Sequence, residues 1–304
     1  MTTLAMFTKN RENPAYAAAR LGADRVAARL GARVTHYVPV VADHAGEQQA
    51  LVAQAIATAR PDAVLFVATD AEAMVPSIQK LNAARIPVFS FVNRLVGGEW
   101  VSHTGSDDIA LAKQIAGYLF SHLHQQGRVL VLEGTPGSMS GRDRMTGFTA
   151  AFAAEFATHA RITRVANVPG EFLQSAARRE MARVLTQGVA FDAILAANDA
   201  MALGAIEALE AAGRALPPIV GVNAVPDAIA TIQSGKLLAT ASFDAMKMAC
   251  LAAEAAVRHL RGEQVPREII LPVEIVDRVN CATWDVPFEA RALPRWADFA
   301  ATTN

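Results

Sequence analysis

The sequence predicts an α/β protein with mostly parallel sheets. Short β-rich apolar runs alternate with longer Ala-rich amphipathic segments, which is the pattern of repeated βαβ units. Four of the predicted strands end in polar residues, and the clearest example is the run 87–92, which Asn93 and Arg94 follow directly. Because parallel α/β sheets hold ligands at the carboxyl ends of their strands, this pattern predicts a polar crevice for a small molecule.

The first part of the chain divides into short apolar runs separated by longer amphipathic segments. We assign the runs to strands because they are short and rich in β-branched and aromatic residues, and the segments to helices because of their length and spacing. The predicted strands are 4–8, 34–40, 63–68 and 87–92, and the predicted helices are 14–30, 46–59 and 71–84.

The alternation restarts after Gly105-Ser106-Asp107-Asp108, which predicts a second lobe. Its predicted strands are 128–133, 162–168, 193–197 and 219–222, and its predicted helices are 109–124, 140–156, 173–187 and 199–212. The chain then continues with helix 226–234, strand 237–242, helix 244–261 and a strand near 268–276. These last elements are enough to complete the two sheets but not to build a third domain.

We expect the chain to cross between the lobes near residues 106, 243 and 275. One lobe then contains 1–106 and 244–274, and the other contains 107–243 and 275–304, with the ligand cleft between them. No low-complexity linker marks these crossings. A hinge of several strands is therefore expected in place of a flexible tether.

Composition excludes several classes of partner. The 304 residues are 52% hydrophobic, which is enough for one or two sizeable cores, and 28 basic residues nearly cancel 29 acidic ones. No block of like charge indicates a nucleic-acid groove or an anionic membrane surface. No apolar run approaches the roughly 18 residues of a membrane span. Met1-Thr2-Thr3 leads directly into a predicted strand, so we expect no export signal in the chain as given.

The residues that serve in metal sites and disulfides are scattered. Cys250 and Cys281 form neither a disulfide framework nor a metal motif, and we expect each to be a buried thiol. Only His122 and His124 are close in sequence among the histidines, and side chains two residues apart diverge on a helix. We therefore expect no metal site and no cofactor.

Glycine-rich segments that resemble catalytic motifs are incomplete. Residues 134–138 lack the Gly-Lys-Ser/Thr ending of a phosphate-binding loop, and residues 137–141 lack the Gly-x-Ser-x-Gly spacing of a nucleophile elbow. The sequence does not favour an enzyme.

An ordered set of short motifs over residues 3–276 resembles the ribose-binding-protein group of ABC-transporter solute-binding proteins. Each motif alone is weak, and the specificity lies in their order and spacing. The motifs are Asn13-Pro14-Ala15-Tyr16, Asn93-Arg94, Val101-Ser102-His103, Gly141-Arg142-Asp143-Arg144 with Gly147-Phe148, the segment 198–205, and Val220-Gly221-Val222-Asn223. The resemblance implies two Rossmann-like lobes, a periplasmic binding protein of type I with a LacI-like core, that close on a monosaccharide or related polyol.

The resemblance assigns ligand contacts to particular residues. Tyr16 and Phe172 match positions where the family stacks aromatic rings on the sugar, and core packing is the alternative for both. Arg94 and Arg142 match arginines that donate to ligand hydroxyls from opposite lobes, since a guanidinium carries five donors in a rigid fork. For these two, the alternative is a surface or interlobe salt bridge, and Arg144 is interpreted as structural.

Two asparagines at helix starts have two interpretations each. Asn13 precedes Pro14 at a predicted helix start and Asn198 opens another helix, so both side chains are typical helix caps. The resemblance implies that both also contact the ligand.

Some positions depart from the family pattern. Asn93 and Asn223 stand where ribose-type binders commonly have aspartates, and Phe243 stands where they have a glutamine. An amide both donates and accepts hydrogen bonds whereas an ionised carboxylate only accepts them, so ribose itself is not the implied ligand.

Lys9 adds a third cation at the site, with Asp244 and Glu171 as the expected compensating acids. An acidic sugar is therefore a second option for the ligand. Alternatively, Lys9 pairs with Glu12 on the same loop. The complete set of predicted ligand-binding residues is Lys9, Asn13, Tyr16, Asn93, Arg94, Arg142, Phe172, Asn198, Asn223, Phe243 and Asp244.

By resemblance, the partners are a small sugar or polyol and the membrane subunits of an ABC permease, and the protein is a periplasmic monomer that binds no nucleic acid. The alternative is the effector-binding core of a LacI-type sugar-responsive regulator without its DNA-binding segment.

Beyond the resembling core, residues 280–296 form a tail that contains two tryptophans, a phenylalanine and prolines. We expect this tail to form an ordered strap packed on the second lobe or the hinge.

Overall fold

The computed structural model describes residues 1–157 and 161–300 and places them in two α/β lobes. The first lobe is built on a six-stranded sheet with the order β11-β5-β4-β3-β1-β2, in which every neighbouring pair is parallel. Its strands are β1 (Thr2–Phe7), β2 (Ala32–Tyr37), β3 (Ala63–Phe66), β4 (Val88–Phe91), β5 (Ser102–Gly105) and β11 (Glu268–Ile270).

The second lobe repeats this architecture. Its six-stranded sheet has the order β12-β10-β9-β8-β6-β7, and only β12 runs antiparallel to its neighbour. Its strands are β6 (Gln126–Glu133), β7 (Arg161–Pro169), β8 (Ala193–Ala196), β9 (Ile219–Val222), β10 (Ala239–Ala241) and β12 (Ile275–Asp277).

Helices cover both sheets. On the first lobe these are α1 (Pro14–Arg29), α2 (Ala45–Gln54), α3 (Val75–Ala83) and α9 (Ala245–Leu260). On the second lobe they are α4 (Asp108–His122), α5 (Met139–Ala157), α6 (Gln174–Thr186), α7 (Asp199–Ala211) and α8 (Pro226–Gln233). A short helix α10 (Ala297–Ala300) ends the described chain. Within the described residues, none of the helices has the length and hydropathy that a bilayer crossing requires.

Central strands are apolar on both faces because helices pack on both sides of each sheet. All four residues of β3, β4 and β8 are buried, and α9 packs most extensively on α1. Cys250 and Cys281 are both buried free thiols. The predicted α/β fold with two parallel-sheet lobes is therefore confirmed.

Three local predictions were wrong. Strand β5 was not predicted, because its sequence Ser-His-Thr-Gly is polar although all four residues are buried. The single strand near 268–276 is two short strands, β11 and β12, that belong to different sheets; Pro272 lies between them and lacks the N–H that a continuous ladder needs. The predicted helix 71–84 begins only at Val75.

The chain passes from one sheet to the other at three places: between β5 and α4, between β10 and α9, and between β11 and β12. These segments lie side by side, since Ser106, Ser242 and Pro272 line one small cavity. The three connections form the hinge, and the carboxyl ends of the parallel strands of both sheets face the space between the lobes.

Candidate ligand-binding site

A narrow cavity of about 30 Å³ lies between the two lobes. Its wall is formed by Asn13, Ala15, Tyr16, Val92, Ser138, Ser140, Arg144, Phe172, Asn198, Asn223, Phe243 and Ala245. These residues come from both lobes.

Among the described residues, Arg144 supplies the only charged side chain in the cavity wall. Its Nε donates to Asp108 Oδ1 at 2.6 Å and its Nη1 donates to the Ala197 carbonyl at 2.6 Å. The guanidinium also lies over the rings of Phe243 and Phe172, at 4.6 and 5.6 Å from their centroids. These contacts fix the guanidinium, and its Nη2 makes no hydrogen bond to another described residue.

The ion pair between Arg144 and Asp108 is almost fully buried, with 3% and 6% of the two side chains exposed. Burial raises the pKa of Asp108, and the charge of Arg144 opposes this effect. A buried charge is tolerated only when it is paired, so each partner depends on the other.

Arg144, and not the predicted Arg142, is the arginine of the cavity. The Arg142 side chain is 51% exposed and its Nη1 lies 3.8 Å from Glu72 Oε1 of the first lobe, which is the interlobe salt bridge that was its alternative. The reason is helical phase. Ser140 and Arg144 are four residues apart on α5 and share one face, whereas a residue midway between them projects from the opposite side.

The first-lobe wall is formed mainly by the start of α1. Asn13 caps this helix, since its Oδ1 accepts from the Ala15 N–H at 3.0 Å, while its Nδ2 makes no hydrogen bond to another described residue. Tyr16 follows one turn later and is 8% exposed. Its hydroxyl likewise has no hydrogen-bond partner among the described residues, and burial raises the pKa of this phenol. Both wall residues therefore carry a side-chain donor that no described residue uses.

Asn93 and Arg94 separate at the end of β4. Asn93 is buried, donates to the Ala68 carbonyl at 3.2 Å and accepts from Ser140 of the second lobe at 2.6 Å. Arg94 points away and forms a same-lobe ion pair with Glu268, with 45% of its side chain exposed. The structure therefore brings neither Arg94 nor Asn93 into the cavity wall, although Asn93 links the two lobes through Ser140.

Lys9 is buried and bridges the lobes, because its Nζ donates to Ser138 Oγ at 2.9 Å. It does not pair with Glu12, which accepts instead from Ser175. Burial lowers the pKa of Lys9 to about 8, against the opposing effect of Asp43. Asp43, and not the expected Asp244 or Glu171, is the acid with the largest effect on Lys9.

Five more predicted residues lie on the second lobe or at the hinge. Asn198 caps α7 by accepting from the Met201 N–H at 2.9 Å, and its Nδ2 donates to the Phe172 carbonyl at 3.0 Å. Phe172, Asn198, Asn223 and Phe243 all line the cavity. The side-chain amide of Asn223 makes no hydrogen bond to another described residue, whereas its backbone N–H donates to the Ala241 carbonyl at 2.9 Å. Asp244 lies outside the cavity wall, where it caps α9 by accepting from the Lys247 N–H at 2.8 Å.

Three residues of the cavity wall have a backbone conformation that is unusual for a residue with a side chain. Val92, Phe172 and Asn223 have φ values of 65°, 58° and 130°, and each lines the wall. At Val92 the Asn93 N–H donates to the Phe91 carbonyl at 2.7 Å, which makes a γ-turn. Left-handed conformations are costly for residues with a Cβ, above all β-branched ones, and they cluster at functional sites.

Direct bonds join the two lobes around the cavity, so the lobes are closed. Besides the Lys9 and Asn93 contacts, Thr135 donates to Asp43 at 2.8 Å and Ser175 donates to Glu12 at 2.7 Å. Gly137 also fits closely against the first lobe, since a Cβ there would overlap the Asp70 carboxylate.

Sequence reasoning missed Ser138, Ser140 and Arg144 as wall residues. The four-residue spacing of Ser140 and Arg144 on a predicted helix was the signal that would have found two of them. A larger and more open depression lies elsewhere, at the amino ends of β4 and β5, and is lined by Trp100 and Arg267 among others. None of the predicted site residues lines it.

The sequence profile of the periplasmic binding protein domain matches residues 4–264. The chain belongs to this family. The ribose import binding protein of Escherichia coli (strain K12) is 29% identical over 276 residues, which are 90% of this chain and 90% of that protein.

Solved structures give the same result. A solute-binding protein from Actinobacillus succinogenes with bound D-allose has a TM-score of 0.84 and 26% identity, and covers 93% of this chain and 100% of that chain. The myo-inositol-binding protein of Caulobacter, bound to myo-inositol, has a TM-score of 0.84 and 25% identity, and covers 93% of this chain and 95% of that chain. The reported relatives are sugar- or polyol-binding proteins, one of them of an ABC transporter, and the alternative of a LacI-type regulator is not favoured.

Proposed function

We propose that this periplasmic binding protein captures one monosaccharide or sugar alcohol between its lobes and delivers it to the membrane subunits of an ABC importer. The observation that carries the proposal is the closed interlobe cavity with hydrogen-bonding groups that have no partner among the described residues. These are Arg144 Nη2, Asn13 Nδ2, the Tyr16 hydroxyl and the side-chain amide of Asn223. The four residues are buried, but these atoms remain accessible from the cavity, so the hydroxyls of a polar ligand can supply their partners.

Two rings favour a sugar over a smaller polar solute. Tyr16 and Phe172 lie on opposite lobes and both line the cavity. Aromatic faces suit the apolar C–H faces of a sugar or cyclitol, while the polar groups suit its hydroxyls. The named relatives bind ribose, D-allose and myo-inositol, which share this combination of C–H faces and hydroxyls.

Closure then couples binding to transport. The ligand bridges Asn13 and Tyr16 on the first lobe to Arg144, Asn198 and Asn223 on the second lobe. Only the closed arrangement satisfies both sets, so ligand shifts the population toward it. The proposal places the protein in the periplasm as a monomer that binds no nucleic acid and catalyses no reaction.

A thermal-shift panel tests this function. It should contain D-ribose, D-allose, myo-inositol and xylitol, with D-galacturonate and D-gluconate as acidic members. Micromolar binding, on the order of −8 kcal/mol, is expected for at least one neutral member. At 100 times the dissociation constant, the ligand stabilises the fold by about 2.7 kcal/mol. A panel without any shift contradicts the proposal, and a shift confined to the acids contradicts its neutral form.

A further inference from the structure

The C-terminal strap, residues 281–299, follows β12 and lies beyond the matched residues 4–264. It begins with a 3₁₀ turn, Cys281–Trp284, and ends in α10. The side chains of Trp284, Phe288 and Trp296 are half-buried. The prediction placed this tail on the second lobe or hinge, whereas the structure shows that it contacts both lobes.

The strap is bonded to helices α1 and α9 of the first lobe. Arg25 on α1 donates through Nη1 to the Arg291 carbonyl at 2.8 Å and to the Phe288 carbonyl at 3.4 Å. The guanidinium of Arg258 on α9 lies 5.1 Å from the ring centroid of Trp296. Two different helices of the first lobe therefore hold two different parts of the strap.

Separate contacts attach the strap to the second lobe. Gln233 at the end of α8 donates to Asp285 Oδ2 at 3.0 Å. Arg291 donates through Nη2 to the Ala224 carbonyl at 3.2 Å, and through Nε to the strap's own Val286 carbonyl at 3.0 Å. Its guanidinium also stacks 4.6 Å from the ring centroid of Phe288, which keeps the side chain extended toward the second lobe.

Two contacts place the strap next to residues of the ligand cavity and of the hinge. Ala224 directly follows Asn223, which lines the ligand cavity. Trp284 and Phe299 line the small cavity at the hinge together with Phe243, whose ring is also part of the ligand cavity wall. The strap therefore spans the two lobes on the hinge side of the ligand cavity.

We propose that the strap is an interlobe clamp that favours the closed arrangement and retards ligand release. The bonds to Arg25 and to Ala224 exist together only when the lobes have their present orientation, since the strap between them is short and anchored by Arg291. Opening the lobes breaks the strap's bonds either to the first lobe or to the second lobe. The clamp therefore raises the closed fraction without ligand, and the apparent affinity rises in proportion to that fraction.

A segment whose only role is to cover apolar surface can do so by contacting a single lobe. Here one residue, Arg291, accepts through its carbonyl from the first lobe and donates through its guanidinium to the second. Arg291 is thus the central residue of the clamp. We assign it as a positioning residue, because it holds the Ala224 carbonyl beside Asn223 and does not itself line the ligand cavity.

Small-angle scattering of the ligand-free protein tests the clamp without depending on the identity of the ligand. The variants are Arg291→Gln and Arg25→Gln in the full chain, each of which removes one side of the clamp. Losing a charge-assisted hydrogen bond should lower the closed-to-open ratio on the order of tenfold. The radius of gyration should therefore increase in both variants relative to the wild type.

Arg295→Gln is the matched control, because Arg295 lies in the same strap, is 83% exposed and pairs only with Asp298 of the strap among the described residues. It should leave the radius of gyration unchanged. An unchanged radius in Arg291→Gln and Arg25→Gln, with a lower melting temperature, would overturn the proposal and assign the strap to fold stability alone. If Arg291→Gln fails to fold, the Arg25→Gln result decides in the same way.

Discussion

The two walls of the ligand cavity are built differently. The first-lobe wall consists of uncharged side chains at the start of α1 and the end of β4, and the Asn13 oxygen is already used as a helix cap. The second-lobe wall contains a charged residue, Arg144, which is held by a buried carboxylate, a backbone carbonyl and two aromatic rings. The charged group of the second-lobe wall is therefore held in place by protein contacts, whereas the first-lobe wall contributes uncharged groups.

This difference indicates a division of roles between the lobes. A guanidinium fixed in advance loses little conformational freedom when it binds, so the second lobe is suited to anchor the ligand. The first lobe contributes an aromatic face and single hydrogen bonds that form on closure. We therefore expect substitutions in the second-lobe wall to reduce affinity more than equivalent substitutions in the first-lobe wall.

Arg144→Ala should have the largest effect. It removes the anchor and leaves Asp108 buried without its partner, so we expect a loss of about 3 kcal/mol or more in binding and about 3 to 5 kcal/mol in stability. Calorimetric titration with the strongest binder of the sugar panel measures the first effect, and thermal melting without ligand measures the second. Normal affinity in Arg144→Ala would contradict the claim that the second-lobe wall contributes more to binding than the first-lobe wall.

Arg142→Ala is the control for this change, since it removes an identical side chain two residues away on the same helix. Its exposed contact with Glu72 is worth at most about 1 kcal/mol. Affinity and melting temperature should therefore remain close to the wild type. A large loss of affinity here, with little loss in Arg144→Ala, would restore the assignment that the sequence suggested.

Lys9, which links the two lobes, should make the stability of the protein depend on pH. The pKa of Lys9 falls from 10.5 to about 8 in the folded protein, mainly through burial, in surroundings that contain Asp43, Arg144, Asp108 and Asp70. Between these two pH values the unfolded chain binds a proton that the folded protein has lost, so stability rises with pH. The cost of burying the cation is thus fully present below pH 8 and is relieved above it.

Lys9→Met provides the reference, because all other titrations are common to both proteins. From pH 7 to pH 10 the stability of the wild type relative to Lys9→Met should increase, on the order of 2 kcal/mol. Urea unfolding at the two pH values measures the difference. A difference that does not change with pH would mean that Lys9 is hydrated and that the walls are not closed over it.

Tyr16→Phe measures the contribution of a single hydroxyl in the first-lobe wall. The hydroxyl bonds to no other described residue, so its removal should leave the melting temperature without ligand nearly unchanged. We expect binding to weaken by about 1 kcal/mol, the typical value for one hydrogen bond. Calorimetric titration checks this, and a loss as large as that of Arg144→Ala would show that the first lobe also anchors the ligand.

Arg94→Ala should have the smallest effect. Its ion pair with Glu268 is partly exposed and contributes less than about 1 kcal/mol to stability. Because the guanidinium is directed away from the cavity, affinity should not change. A clear loss of affinity in titration would show that Arg94 leaves Glu268 and reaches the ligand.

Much of the fold was predictable because its signal is local. The strand Ile219–Val222 was predicted with the observed bounds, and the other central strands were identified from their apolar runs. Strand β5 was not, since burial of its polar residues depends on neighbours distant in sequence. His103, for example, is compatible with a buried strand because Ser90 on β4 bonds its Nδ1 at 2.8 Å.

The site was predictable where strand ends define it and less so elsewhere. Asn198 and Asn223 follow directly from the rule that ligands lie at the carboxyl ends of parallel strands. Choosing between Arg142 and Arg144 required the rotation of α5 about its axis, which helical spacing provides only when a second wall residue such as Ser140 is known. The partners of Lys9 and Asn93 lie on the other lobe, and no local pattern indicates such pairs.

Native mass spectrometry of the protein mixed with equimolar D-ribose, D-allose, myo-inositol and xylitol tests the central claim most directly. The claim is that one sugar or polyol binds in the interlobe cavity and is anchored by the second-lobe wall. It predicts one bound molecule per chain in the wild type and in Arg142→Ala, and none in Arg144→Ala. An adduct retained by Arg144→Ala, or no adduct on the wild type, would contradict it.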